Sequence, residues 1–499
     1  MKKNITALTL TLPILLPEKI IKKILCLLCS GLLGSVSGYA QSTLFGMSAG
    51  GGTVGSGVIF DYSPTSNTVS TLYNFDGITG GNPYGSLIQA TDGNLYGMTY
   101  YTGTNSTGVI FAYNLVTNTY STKFNFDPFP NTAPFINVNG SNPNGSLMQA
   151  TDGNLYGMAN KGGANGSGVI FSFNPTTNVY NNKYSFDYIN GGYPYGSLIQ
   201  AIDGNLYGMT ASGGMDAFGA SNNMGVLFSY NPTTNIYTKK IDFDGVNKGK
   251  SPQGSLVQAI DGNLYGMTGS GGTNNMGVLF AYNPSTNIYT KKLDFDGANT
   301  GGNLKGSLIQ ATDGNLYGMT FSGGINNKGV IFSYNPTTNV YSKKIDFDGT
   351  NTGGNPWGSL IQATDGNLYG ITIGGGTYSN GVLFVYNPIT NIYSKQRDFG
   401  GVPGCQQPKG DLLEIALTPT RSENIITNKP LLSIYPNPTN SNFTIYTEIQ
   451  TTISITNTLG EIILTQKLQQ GKNEINVSNQ PNGVYFIKNE NSIFKIIKY

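Results

Sequence analysis

The chain has 499 residues, long enough for two or three domains, and its formal net charge is only +2. Histidine is absent, which excludes a Ser-His-Asp triad, a His-ligated zinc and a histidine general base. Arginine occurs only at Arg397 and Arg421, so a nucleic-acid-binding surface is not expected.

The first 40 residues read as a leader. Lys19, Lys22 and Lys23 precede the apolar run Ile24 to Leu33, and Gly38-Tyr39-Ala40 has the small-x-small form of a cleavage site. The run is too short to span a bilayer, so no permanent transmembrane segment is expected. Cleavage after Ala40 would remove five lysines and Glu18, taking the formal charge from +2 to −2. It would also leave Cys405 as the sole cysteine, so no intrachain disulfide could form.

Residues 41–417 are built on one repeated unit. Its core, Asp-Gly-Asn-Leu-Tyr-Gly, starts at Asp92, Asp152, Asp203, Asp261, Asp313 and Asp365, at intervals of 60, 51, 58, 52 and 52 residues. The unit at Gly306 to Phe347 predicts four strands: Ser307–Ala311, Asn315–Thr320, Gly329–Tyr334 and Val340–Phe347. Asp313-Gly314 and Asn335-Pro336 supply the turns. Val330, Phe332 and Tyr334 alternate onto one face of the third strand, while lysines blur the pattern of the fourth. Four strands in about 50 residues is the size of a β-propeller blade.

Gly-Val-Ile/Leu-Phe occurs seven times, whereas Gly-Ser-Leu occurs six times. The missing seventh copy is Gly410-Asp411-Leu412, 52 residues after Gly358. The N-terminus therefore starts one strand late and the C-terminus supplies that strand. The expected fold is all-β: a seven-bladed β-propeller closed by strand exchange.

Carboxylates in the repeats recur in register. Between Gln41 and Leu413 there is no glutamate. The hairpin aspartates read as turn residues accepting backbone hydrogen bonds. Asp242 with Asp244, Asp294 with Asp296 and Asp346 with Asp348 each stand two apart, with an asparagine following, and oxygen ligands so placed could hold calcium. Copies of a carboxylate in many blades do not resemble one asymmetric active site, so the chain reads as non-catalytic. The alternatives are a polysaccharide-acting enzyme that uses aspartates and a structural surface or adhesion repeat. One position changes between otherwise similar units: Tyr84, Asn144, Tyr195, Gln253, Lys305 and Trp357. A core position would not accept both Lys and Trp, so it is expected to be exposed. Tyr84, Tyr195 and Trp357 there are candidate ligand-binding residues, suited to a sugar ring or a protein surface.

The polar stretch 418–430 reads as a linker, and 431–499 differ in texture, with six strand-like runs, more Ile and less Gly. Tyr435-Pro436-Asn437-Pro438, followed by Ile453 to Gly460, Pro481-Asn482-Gly483-Val484-Tyr485-Phe486 and the ending Lys495 to Tyr499, resembles the type A C-terminal sorting domain of the type IX secretion system. That resemblance implies a small Ig-like β-sandwich, the type IX machinery as a partner, and a secreted or outer-membrane surface-attached location in a Bacteroidetes-type bacterium. The repeats, in turn, resemble the GloVer repeat of large exported bacterial proteins, which implies a fold rather than an activity. An extracellular glycan or protein is the partner expected for the repeat region.

Overall fold

The computed structural model describes residues 42–128, 137–400, 404–416, 432–435, 439, 441–447, 450–457, 461–489 and 493–498. The expected leader, the linker 418–430 and Pro436 to Pro438 lie outside the described residues. Contacts divide the chain into two compact units, one up to Pro419 and one from Thr420.

All regular structure described in the first unit is β. Seven four-stranded antiparallel sheets share one strand order, and in the unit chosen above the strands are Ile309–Gln310, Leu316–Met319, Val330–Asn335 and Val340–Asp346. The innermost strand is two residues long rather than the five expected. The N–H of Ser307 is already taken by the Ser359 Oγ of the next sheet, at 2.8 Å, so pairing with the second strand begins only at Ile309. The blurred alternation of the outer strand also has a cause. Ile345 faces Ile331 and Lys343 faces Phe332, which leaves Lys344 as the extra residue of a β-bulge.

Both faces of each sheet are buried. Val330, Phe332 and Tyr334 pack against Tyr265, Met267 and Leu279 of the preceding sheet, while Ile331 packs with Tyr317 and Phe347 against Val382 and Phe384 of the following one. The last sheet then meets the first: Tyr369, Ile371 and Leu383 pack on Leu44, Val58, Phe60 and Tyr62. Seven such clusters join the seven sheets pairwise into a ring, as in a propeller. The repeated Leu-Tyr-Gly is set by this packing. A Cβ on Gly97 would lie 2.5 Å from Cζ of Phe111, whose ring lies over the glycine.

Chain ends close the ring. Leu413–Ala416 pairs antiparallel with Ser42–Ser48, from Ser42 opposite Ala416 to Phe45 opposite Leu413, and becomes the innermost strand of the first sheet. Nearby, Gly50–Gly51 pairs with Cys405–Gln406. The Cys405 thiol is buried, which pushes its pKa up to about 12 and keeps it a thiol at neutral pH.

The described residues of the second unit form two sheets. Leu432–Tyr435, Asn442–Thr447 and Gly471–Asn476 form one, and Ile462–Leu468, Thr451–Thr456, Gly483–Lys488 and Ile493–Lys498 the other. Their core includes Phe443, Ile445, Ile453, Ile455, Ile487 and Ile496. Tyr485, singled out in the sorting motif, is buried in this core and its hydroxyl donates to the Pro481 carbonyl. Gly483 opens the strand that carries it, and Tyr435 ends the first described strand of the unit.

Candidate functional site

The repeated aspartates serve turns. Oδ1 of Asp313 accepts the N–H of Asn315 at 3.0 Å, and Oδ2 accepts the Asn315 amide at 2.9 Å and the Tyr317 hydroxyl at 2.8 Å. The same three bonds recur at Asp92, Asp152, Asp203, Asp261 and Asp365.

The paired aspartates are divided between two loops. Asp346 accepts the N–H of Ile325 and pairs with Lys343, and Asp294 and Asp242 do the same with Thr273 and Lys291, and with Met215 and Lys239. Asp348 instead accepts the N–H groups of Thr350, Asn351 and Thr352 at 2.7–2.8 Å. Partial burial raises its pKa, but the Thr352 and Asn351 donors outweigh that and hold it at about 2. Asp296 is held at about 2 in the same way, and Asp244 is lowered by Lys248 and Asn247 against its own burial. Among the described residues no group of three or more His, Cys, Asp or Glu could hold a metal ion. The two carboxylates of each pair thus serve different loops, accepting from N–H, O–H and ammonium donors.

The site that breaks the repetition lies at the ring axis. Six of the innermost strands are preceded by Gly-Ser and the seventh by Gly410-Asp411, and these dipeptides form a closed circuit. The N–H of Ser86 donates to Oγ of Ser146, Ser146 to Ser197, Ser197 to Ser255, Ser255 to Ser307 and Ser307 to Ser359, all at 2.7–2.8 Å. The N–H of Ser359 then donates to Oδ1 of Asp411, and the N–H of Asp411 returns to Ser86 at 2.7 Å. Their glycines stand too close for any side chain: a Cβ on Gly85 would lie 2.3 Å from the Gly145 carbonyl, and one on Gly410 would lie 2.2 Å from that of Gly85. Six serines and one aspartate thus draw the axis nearly shut.

The residue before each of these glycines lines a shallow cavity of about 60 Å³ at the axis. In ring order the seven are Tyr84, Asn144, Tyr195, Gln253, Lys305, Trp357 and Lys409. The sequence expectation of an exposed position is corrected here. Asn144 is buried and the others are half-buried, because the position points toward the axis rather than outward. It tolerates Lys and Trp alike because seven different residues share one mouth rather than filling seven equivalent cores.

Lys305 Nζ donates to Gln253 Oε1 at 2.9 Å and lies 5.2 Å from the centroid of Trp357. Lys409 Nζ sits 3.5 Å over the Tyr84 ring and 5.3 Å from Trp357. Burial lowers the pKa of both lysines, with no carboxylate acting against it. A second tier braces the first: Tyr84 stacks on Tyr100 at 4.7 Å, and Trp357 meets Phe321 edge-on at 5.7 Å. Tyr84 and Trp357 are thus brought into one arc, bridged by Lys409, whereas Tyr195 stands on the opposite side.

Sequence reasoning missed Lys409, Tyr100 and Phe321. Lys409 was hidden because its unit reads Gly-Asp-Leu instead of Gly-Ser-Leu, although Pro408-Lys409-Gly410 parallels Pro356-Trp357-Gly358. Tyr100 and Phe321 stand just after the second strand, at a position that also varies, with Ala49, Asn160, Ala211, Gly269 and Ile373 in the other units.

The Gloeobacter/Verrucomicrobia repeat matches residues 31–215, 129–258 and 214–352. The chain belongs to this repeat family. Residues 433–498 match the secretion system C-terminal sorting domain, so the protein is exported by the type IX secretion system to the exterior or the cell surface. Among the described residues no helix is long and apolar enough to cross a membrane. No curated protein matches the chain. The periplasmic gluconolactonase PpgL of Pseudomonas aeruginosa is 15% identical, with a TM-score of 0.50, over 74% of this chain and 99% of its own. TolB from Acinetobacter baumannii is 12% identical, with a TM-score of 0.37, over 63% and 66%. PorZ, a surface component of the type IX secretion system of Porphyromonas gingivalis, is 12% identical, with a TM-score of 0.35, over 89% and 73%. The likeness to the gluconolactonase is one of fold.

Proposed function

We propose that this repeat-family protein is a non-catalytic binding protein, secreted or held at the cell surface, whose ligand is a glycan or a protein docking at the axial mouth. One observation carries the reading: units that otherwise repeat closely differ where seven side chains converge on one point. A fold that repeats its scaffold and varies one convergent position has the form of a scaffold with a single recognition surface. In the same reading residues 1–40 are a leader, 41–417 the ring, 418–430 a linker and 431–499 an Ig-like sorting domain that engages the secretion machinery.

The reading is tested by screening the full chain and its Trp357→Ala variant against arrays of glycans and extracellular proteins. Ligands of the wild-type chain should be lost or weakened at least tenfold by the variant. Ligands retained in full by the variant would place recognition elsewhere and overturn the reading.

A further inference from the structure

We propose that the axial mouth receives the acidic end of a saccharide, its carboxylate or sulfate group drawn by the Lys305 and Lys409 ammonium groups. The proposal rests on the reading of the mouth as a ligand site and names the chemistry of that ligand. The seven residues fall into two arcs. Lys305, Trp357, Lys409 and Tyr84 are consecutive around the ring, so both cations stand on one side, flanking one indole.

Neither ammonium has a carboxylate in ion-pair contact among the described residues. Asp411, the carboxylate lining the cavity, already accepts the N–H of Ser359. Lys409 rests instead on the Tyr84 ring and Lys305 on a neutral amide oxygen. A half-buried ammonium without a counter-charge is costly, and an anion is a stronger partner than a ring face. The lowered basicity of both lysines agrees with charges whose partner is supplied from outside.

Asn144, Tyr195 and Gln253 form the other arc, contributing two amides and a phenol. These are the groups that exchange hydrogen bonds with hydroxyls. A ligand with an anion on one side and hydroxyls on the other is an acidic sugar. The cavity is shallow and small, about 60 Å³. It admits one carboxylate or sulfate group and leaves the sugar ring at the rim.

The test is a calorimetric titration of the full chain with four probes: a galacturonic acid trisaccharide, its methyl ester, a sulfated neutral trisaccharide and hexaglutamate. The acidic or the sulfated sugar, or both, should bind at least tenfold tighter than the ester, and whichever binds names the anionic group. Lys409→Gln should abolish that preference, while Lys409→Arg should keep it, which separates loss of charge from loss of fold. Equal binding of acid and ester would overturn the anionic assignment and leave the mouth as a binding site. Hexaglutamate binding as tightly as the sugars would overturn the saccharide assignment. If no probe binds, the proposal fails, and the Trp357 variant screen then decides separately whether the mouth binds anything.

Discussion

Asp411 is the one member of the axial circuit that is not serine. Its Oδ1 takes the place of a serine Oγ, accepting the N–H of Ser359. Burial raises its carboxyl above the ordinary 3.8, while the Ser359 and Ser86 hydrogen bonds only partly offset this. With the native pKa above the unfolded one, the folded state holds the proton longer. Stability therefore falls as pH rises from 3.8 through the native value, and stays lower above it. Asp411→Ser should raise the melting temperature at pH 7 by a few degrees, and the gain should shrink as pH falls toward 3.8, as thermal unfolding across that range would show. Asp296 and Asp348 act in the opposite sense. Their carboxyls are held at about 2, so the stability they contribute is complete above 3.8 and is lost as pH falls toward 2. The roles of the hairpin aspartates were legible in the sequence, because Asp-Gly-Asn states its own hydrogen-bonding geometry. Those of Asp242, Asp294 and Asp346 were not, because each partners a loop 21 to 27 residues away in the chain.

Within each sheet, the second and third strands are locked by the glycine under the phenylalanine ring. Gly97→Ala would drive a Cβ to 2.5 Å from Phe111, whose ring is fully buried. Overpacking of this kind should cost about 1–3 kcal/mol, read as a lower urea midpoint with little change in the denaturant slope. An unchanged midpoint would show that Phe111 can move aside. Strand existence and hairpin connection could be read from Asp313-Gly314, from Asn335-Pro336 and from the alternation of Val330, Phe332 and Tyr334. The two-residue length of Ile309–Gln310 could not, since it depends on Ser359, which lies 52 residues beyond Ser307. Nor could the bulge at Lys344 be read, because a bulge is a property of the paired strands and not of either alone.

Across the whole ring, closure was the most legible property. Gly410-Asp411-Leu412 fell one interval after Gly358, and the structure pairs Leu413–Ala416 with Ser42–Ser48. The mouth was half legible. Variation at Tyr84, Tyr195 and Trp357 marked the position, but only the ring brings Lys305 and Lys409 to either side of Trp357. Seven units also raise the question of valency, because a ligand recognised by the repeat itself would bind at every unit and a ligand recognised by the mouth binds once. The most direct measurement is the stoichiometry of saturating ligand per chain, by calorimetry on the full chain. One ligand per chain, lost in Trp357→Ala, is the result predicted by a single axial site. Six or seven ligands per chain, with the Trp357 variant unaffected, would contradict it.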